Sequence, residues 1–143
     1  MSEGIIMPTG QVTLIQFANH YIEFCNAPGS TAQGLKEFYD EAVEWQEMPH
    51  RFAPTGQIRN FASLQVAFTK GRELTAQQSY VLDDVVVSDN AAALQISWEM
   101  TFAQALGDMA AGAKLSGKLA IFFRLKDGKI IRQTDYLCYD PIA

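Results

Sequence analysis

The stretch LSGKLAIFFRLKDGKIIRQTDYLCYD, residues 115–140, decides the fold. In its first half, Leu115, Leu119, Ile121, Phe123 and Leu125 all occupy odd-numbered positions, the period of a strand with one buried face. Asp127-Gly128 is a strong two-residue hairpin signal, so the second half turns back as a partner strand. There the same rule puts Ile131, Gln133, Asp135 and Leu137 on one face, and Arg132, Thr134 and Tyr136 on the other. Ile131 and Leu137 predict that the first face looks inward. Asp135 then becomes an acid among apolar side chains, where burial raises a carboxyl pKa toward neutrality.

Upstream of this hairpin, residues 91–103 alternate Leu94, Ile96, Trp98, Met100 and Phe102 with Gln95, Ser97, Glu99 and Thr101, a second half-buried strand. Residues 77–87 are rich in β-branched side chains and end at Ser88-Asp89-Asn90, a turn. The small-residue segment 105–112 reads as a flexible lip over a pocket. Before residue 77 the period changes. Leu14, Phe17, Tyr21, Phe24 and Cys25 predict a helix over 12–27, stopped by Asn26-Ala27-Pro28-Gly29. Ser30 or Thr31 would cap a short second helix through Leu35, Phe38 and Tyr39. A short strand follows at Val43–Glu47, then a third helix carrying Ile58, Phe61, Leu64, Val66 and Phe68. Helices followed by long antiparallel strands imply an α+β domain, with the sheet curled around the helices and a pocket at its open end.

At 143 residues the chain fits one domain, long enough to bury about 70% of its unfolded surface. A formal charge of −5 with scattered basic residues argues against nucleic-acid or membrane-surface binding. No apolar run approaches the ~20 residues of a membrane span, and MSEGIIMPTGQ does not read as a signal peptide, so a cytoplasmic protein is expected. Cys25 and Cys138 are expected to be free, buried thiols. His20 and His50 lack metal-ligand spacing, so neither metal nor cofactor is expected.

Three segments, FYDEAVEWQEMP, PTGQIRNFASL and FRLKDGKIIRQTDYLCYD, resemble the NTF2-like superfamily, which includes ketosteroid isomerases and SnoaL-like polyketide cyclases. The resemblance implies a single domain over 1–143, with a curved antiparallel sheet wrapped around three N-terminal helices to form a cone. It also implies roles. Asp135 matches the aspartate of the cyclases' H-W-D signature, their acid/base. Glu47 matches, within one residue, the proton-shuttling aspartate of the isomerases. Tyr21, in HYIEFCNAPG, resembles their oxyanion-hole tyrosine. Gln133 and Thr134 replace the histidine and tryptophan of H-W-D, and an aliphatic residue near Ile121 replaces the second oxyanion-hole acid.

These residues predict an acid/base enzyme of isomerase, cyclase or dehydratase type, acting on a small apolar molecule with a carbonyl or a ring. Asp135, Glu47 and Tyr21 are the expected catalytic groups. Gln133, Trp98, Trp45, Phe68, Phe123, Met100 and His50 are the expected ligand contacts, although His50 also reads as an exposed loop histidine. The alternatives are a ligand-binding domain without chemistry and a protein-interaction module. A homodimer through the outer sheet face, with Glu99, Arg132, Thr134 and Tyr136, is expected by analogy with the superfamily.

Overall fold

The computed structural model describes residues 9–141. The helix α1 (Thr9–Asn26) leads through a 3-10 turn (Ala32–Glu37) into β1 (Tyr39–Glu47) and a three-residue strand β2 (Gln57–Arg59). Helix α2 (Phe61–Leu74) follows, then β3 (Thr75–Ser88), β4 (Ala91–Phe102), β5 (Lys114–Lys126) and β6 (Lys129–Tyr139). All six strands join one sheet in the order β2-β1-β6-β5-β4-β3. Every neighbouring pair is antiparallel except β1 and β6, which run parallel. Helix α1 packs across β3 and β4, and α2 packs against β1.

The central hairpin forms as its sequence dictates. Asp127 and Gly128 both adopt positive φ, 51° and 78°, the geometry that matches strand twist in a two-residue turn. On β5, residues 115, 117, 119, 121 and 123 are all buried, as are Leu94, Ile96, Met100 and Phe102 on β4. Leu94, Ile96, Leu119, Ile121 and Phe123 meet α1 and the 3-10 turn in one core with Ala18, Tyr21, Ile22, Leu35 and Phe38, while Met100, Phe102 and Leu115 form a second, smaller cluster with Met109.

Three details differ from the sequence expectation, each for a local reason. Tyr39 does not end a second helix but opens β1, because the helical stretch is only a six-residue 3-10 turn. Ile58 is not on the third helix; it pairs with Gln46 as part of β2 and is 83% exposed. The helix begins after Asn60, whose side chain accepts from the Ser63 N–H while Ser63 Oγ accepts from the Asn60 N–H, a capping box. Ile131 yields its core place to Ile130, which is fully buried, because the β5–β6 register slips between Arg124 and Leu125.

Gly117 explains how β5 and β6 come so close. A Cβ at this position would stand 2.3 Å from the Cys138 carbonyl oxygen and 3.0 Å from the Tyr139 Cα, both backbone atoms. The absent side chain also lets the Trp98 and Tyr139 rings meet at 6.1 Å across the inner face, since both residues pair with Gly117. Gly117→Ala should therefore force the strands apart and lower stability by roughly 2–4 kcal/mol. Urea unfolding reads this as a fall in midpoint at unchanged slope; an unchanged midpoint would mean that the strands tolerate the methyl.

Candidate active site

A cavity of about 350 Å³ opens between α1, α2 and the inner sheet face. Tyr21, Phe24 and Cys25 line it from α1, and Phe68 and Arg72 from α2. Trp45 and Glu47 come from β1, Tyr80 from β3, Trp98 and Met100 from β4, and Asp135 from β6. A second lobe of about 290 Å³ shares Glu47, Tyr80, Trp98, Met100 and Asp135, and runs on to Phe52, Leu106 and Tyr139. The two carboxyls therefore stand where the lobes meet.

The parallel pairing of β1 with β6 puts Glu47 directly beside Asp135. Adjacent strands are ~4.8 Å apart and the paired side chains leave the same face. The Met48 N–H donates to the Asp135 carbonyl oxygen at 2.9 Å, which fixes the register at the site itself.

Asp135 is tied at one oxygen only. Gln133 Nε2 donates to its Oδ1 at 2.8 Å, and Oδ2 has no protein partner. Among the described residues no buried side-chain oxygen or nitrogen is left unpaired, so Oδ2 must be open to the cavity. Burial pushes the Asp135 carboxyl up to about 7; the Gln133 hydrogen bond pulls it down and the neighbouring Glu47 charge pushes it up. A carboxyl poised there gives or takes a proton near neutral pH, and Oδ2 is the oxygen that can do so.

Behind Gln133 lies a directional chain of hydroxyls. Tyr39 must donate to Gln133 Oε1, at 2.6 Å, because a carbonyl oxygen only accepts. Its proton being spent, Tyr39 accepts from the Tyr21 hydroxyl at 3.0 Å. Burial raises both phenols well above their usual range, so neither ionises. Gln133, 1% exposed, is thus oriented by Tyr39 and in turn orients Asp135. The Tyr21 proton points at Tyr39 rather than into the cavity, so Tyr21 positions Asp135 from a distance instead of donating to a ligand oxygen.

Tyr80 reaches both lobes of the cavity from β3, paired across the sheet with Trp98, whose indole beside the phenol opposes part of the effect of burial. Burial raises this phenol too, so it acts as a neutral donor.

Glu47 is held by His50, whose Nε2 lies 2.7 Å from Glu47 Oε1. The Phe52 N–H donates to His50 Nδ1 at 3.2 Å, so that nitrogen is the acceptor and the ring proton sits on Nε2, aimed at Glu47. The His50 side chain is 6% exposed and flanked by the Tyr139 ring, not free in a loop. It stands behind Glu47 rather than in the cavity wall. Trp45, Trp98, Phe68 and Met100 do line the cavity. Phe123 does not: it is 1% exposed and packs edge-on against Phe17 and Tyr21 in the closed core.

Tyr39, Tyr80, Arg59 and Arg72 line or support the cavity without a clear signal in the sequence. Tyr39 shares odd parity with Val43, Trp45 and Glu47, a signal masked by the charged Asp40 and Glu41. Tyr80 was hidden by a bulge between Leu82 and Asp84 that shifts which β3 residues face inward.

Among the described residues no His, Cys, Asp and Glu cluster could hold a metal, and no helix is long and apolar enough to cross a membrane. Cys25 and Cys138 are both free, but only Cys25 is partly buried; Cys138 is exposed, because alternation along β6 turns it to the face opposite Leu137.

A family model described as the SnoaL-like domain matches residues 18–133. No curated protein matches the chain. Among solved structures, one from Jannaschia sp. CCS1, described as a SnoaL-like polyketide cyclase, superposes with a TM-score of 0.76 at 13% identity, covering 94% of this chain and 91% of that one. An NTF2-like protein from Anabaena variabilis gives 0.68 at 13% identity, covering 96% and 97%. TsrD from Streptomyces laurentii gives 0.69 at 19% identity, covering 92% and 91%. At these identities the likeness is one of fold.

Proposed function

The chain belongs to the SnoaL-like domain family, and from that premise we propose that it is a cofactor-independent acid/base enzyme of cyclase or isomerase type. Its substrate is a small, largely apolar molecule with a ring and a carbonyl, held in the cavity against Trp98 and Phe68. The observation that carries this reading is Asp135: a carboxyl raised to about 7, anchored at Oδ1 and open at Oδ2. Asp135 Oδ2 removes a proton from the carbon next to the substrate carbonyl. Tyr80 donates to the carbonyl oxygen as negative charge develops there. In an isomerisation the same carboxylic acid returns the proton to another carbon of the conjugated enolate; in a ring closure the enolate carbon bonds a second carbonyl carbon of the substrate, whose C=O π bond opens to an alkoxide that the acid protonates. Glu47, held by His50, keeps a negative charge beside Asp135 and favours its protonated form.

A direct test uses 2-tetralone, a two-ring ketone with exchangeable protons beside its carbonyl, in deuterated buffer. The protein should accelerate exchange, with a rate that rises through a limb near pH 7 as Asp135 ionises. Exchange no faster than in buffer would favour the other reading, a ligand-binding module. One observation supports that alternative: the partner of Asp135 is the amide of Gln133, which cannot carry a proton.

We also propose a homodimer through the outer sheet face. Phe122 and Tyr136 stack edge-on there at 5.8 Å while 49% and 45% exposed. Phe122→Glu should halve the mass seen by light scattering; a monomeric wild type would end the proposal.

A further inference from the structure

Two arginines are not used by this proton chemistry. Arg59 and Arg72 both line the cavity, Arg59 from β2 and Arg72 from the last turn of α2. Neither meets a carboxylate among the described residues. The cavity's own acids are already engaged, Glu47 with His50 and Asp135 with Gln133.

Arg72 has a structural task. Its Nη2 donates to the Phe24 and Cys25 carbonyls at 3.4 and 3.2 Å, closing the end of α1, and its guanidinium lies 4.9 Å over the Phe68 ring. Arg59 is less committed. Its guanidinium lies 5.7 Å over the Trp45 ring, and its hydrogen-bond partner is the neutral amide oxygen of Gln57. A half-buried guanidinium held on an indole, with a neutral partner and free N–H groups, is a ready fork for a carboxylate. The spacing fits as well. β1 lies between β2 and β6, so about two strand separations, roughly 10 Å, divide the Arg59 and Asp135 strands. A two-ring acid spans that distance.

We propose that the cavity selects an anionic ligand, a ring-bearing carboxylate whose acid group docks on Arg59 while its ring reaches Trp98 and Asp135. This rests on the reading of the cavity as a ligand site, but not on any proton transfer within it. Arg72 adds positive potential from α2, and its field already acts inside, where it lowers Cys25 and Tyr80 against the burial that raises them.

The probes are 2-naphthoate and 2-naphthamide, equal in shape and different in charge, titrated calorimetrically at pH 7. The wild type should bind the naphthoate at least about tenfold more tightly, as expected for a charge-assisted pair. Added salt should erode that preference. Arg59→Met should abolish it and leave naphthamide binding unchanged, which also shows that the variant is folded. Should Arg59→Met not fold, Arg59→Gln carries the same expectation, and the salt dependence of the wild type remains a separate criterion. Asp135→Asn should keep the preference, so loss of turnover and loss of anion selectivity are separable. Equal affinities, no binding of the naphthoate at millimolar concentration, or an undiminished preference in the Arg59 variants would overturn the proposal.

Discussion

Asp135→Asn is expected to abolish proton transfer and, above neutral pH, to make the protein more stable. The amide keeps the shape and still accepts from Gln133 Nε2 through its carbonyl oxygen, but it is neither an acid nor a base near neutral pH. Loss of a general acid/base costs roughly 10²- to 10⁴-fold in rate. The stability gain follows from linkage. In the unfolded chain an aspartate titrates near 3.9, whereas folded Asp135 titrates at about 7. Below pH ~4 both states hold the proton and Asp135 contributes no difference. As pH rises toward 7 only the unfolded state releases it, so stability falls; above pH 7 both are ionised and the loss is constant. At 1.36 kcal/mol per unit, the loss reaches on the order of 4 kcal/mol. The asparagine variant avoids it. Its melting temperature should exceed that of the wild type by about 10 °C at pH 9, with the gap closing near pH 4. A pH-independent gap would mean that Asp135 is not ionising in a desolvated site.

Gln133→Met should act in the opposite direction on stability and displace the acid/base rather than remove it. Methionine fills nearly the same volume but offers Tyr39 no acceptor and Asp135 no donor. An unpaired hydroxyl in a core position that is 1% exposed costs about 1–3 kcal/mol, which urea unfolding measures as a lower midpoint. The Gln133 bond favours ionised Asp135, so its loss raises that carboxyl above 7 and moves the pH–rate limb to higher pH. A limb that stays in place while stability falls would assign Gln133 to packing alone. Tyr39→Phe, one step farther from the carboxyl, should shift the limb less, because Gln133 itself remains.

The parts of the fold visible in the sequence are those set by short-range patterning. The alternations on β4 and β5, the Asp127-Gly128 turn and the apolar stripe of α1 all appear where their periods put them. Asp135 was legible for the same reason, since parity along β6 was enough to aim it inward. What stayed hidden depends on register and long-range pairing. Nothing local to Glu47 says that β1 runs parallel to β6, yet that pairing brings it beside Asp135. His50 looks like a loop residue until the turn after β1 folds its ring under Glu47. The slips at Arg124/Leu125 and Leu82/Asp84 move Ile130 into the core and Tyr80 toward the cavity, and simple alternation predicts neither. Arg59 sits on a three-residue strand that pairs only because β1 offers it an edge.

The central claim is that Asp135 is a desolvated carboxyl poised near neutrality. Carboxyl-carbon NMR across pH 3–10, with the resonance assigned by its disappearance in Asp135→Asn, measures this without any substrate. The expected result is a single titration at about 7, moving lower in Glu47→Gln as the neighbouring charge is removed and higher in Gln133→Met. A titration near the ordinary aspartate value of ~3.9, indifferent to both substitutions, would contradict it.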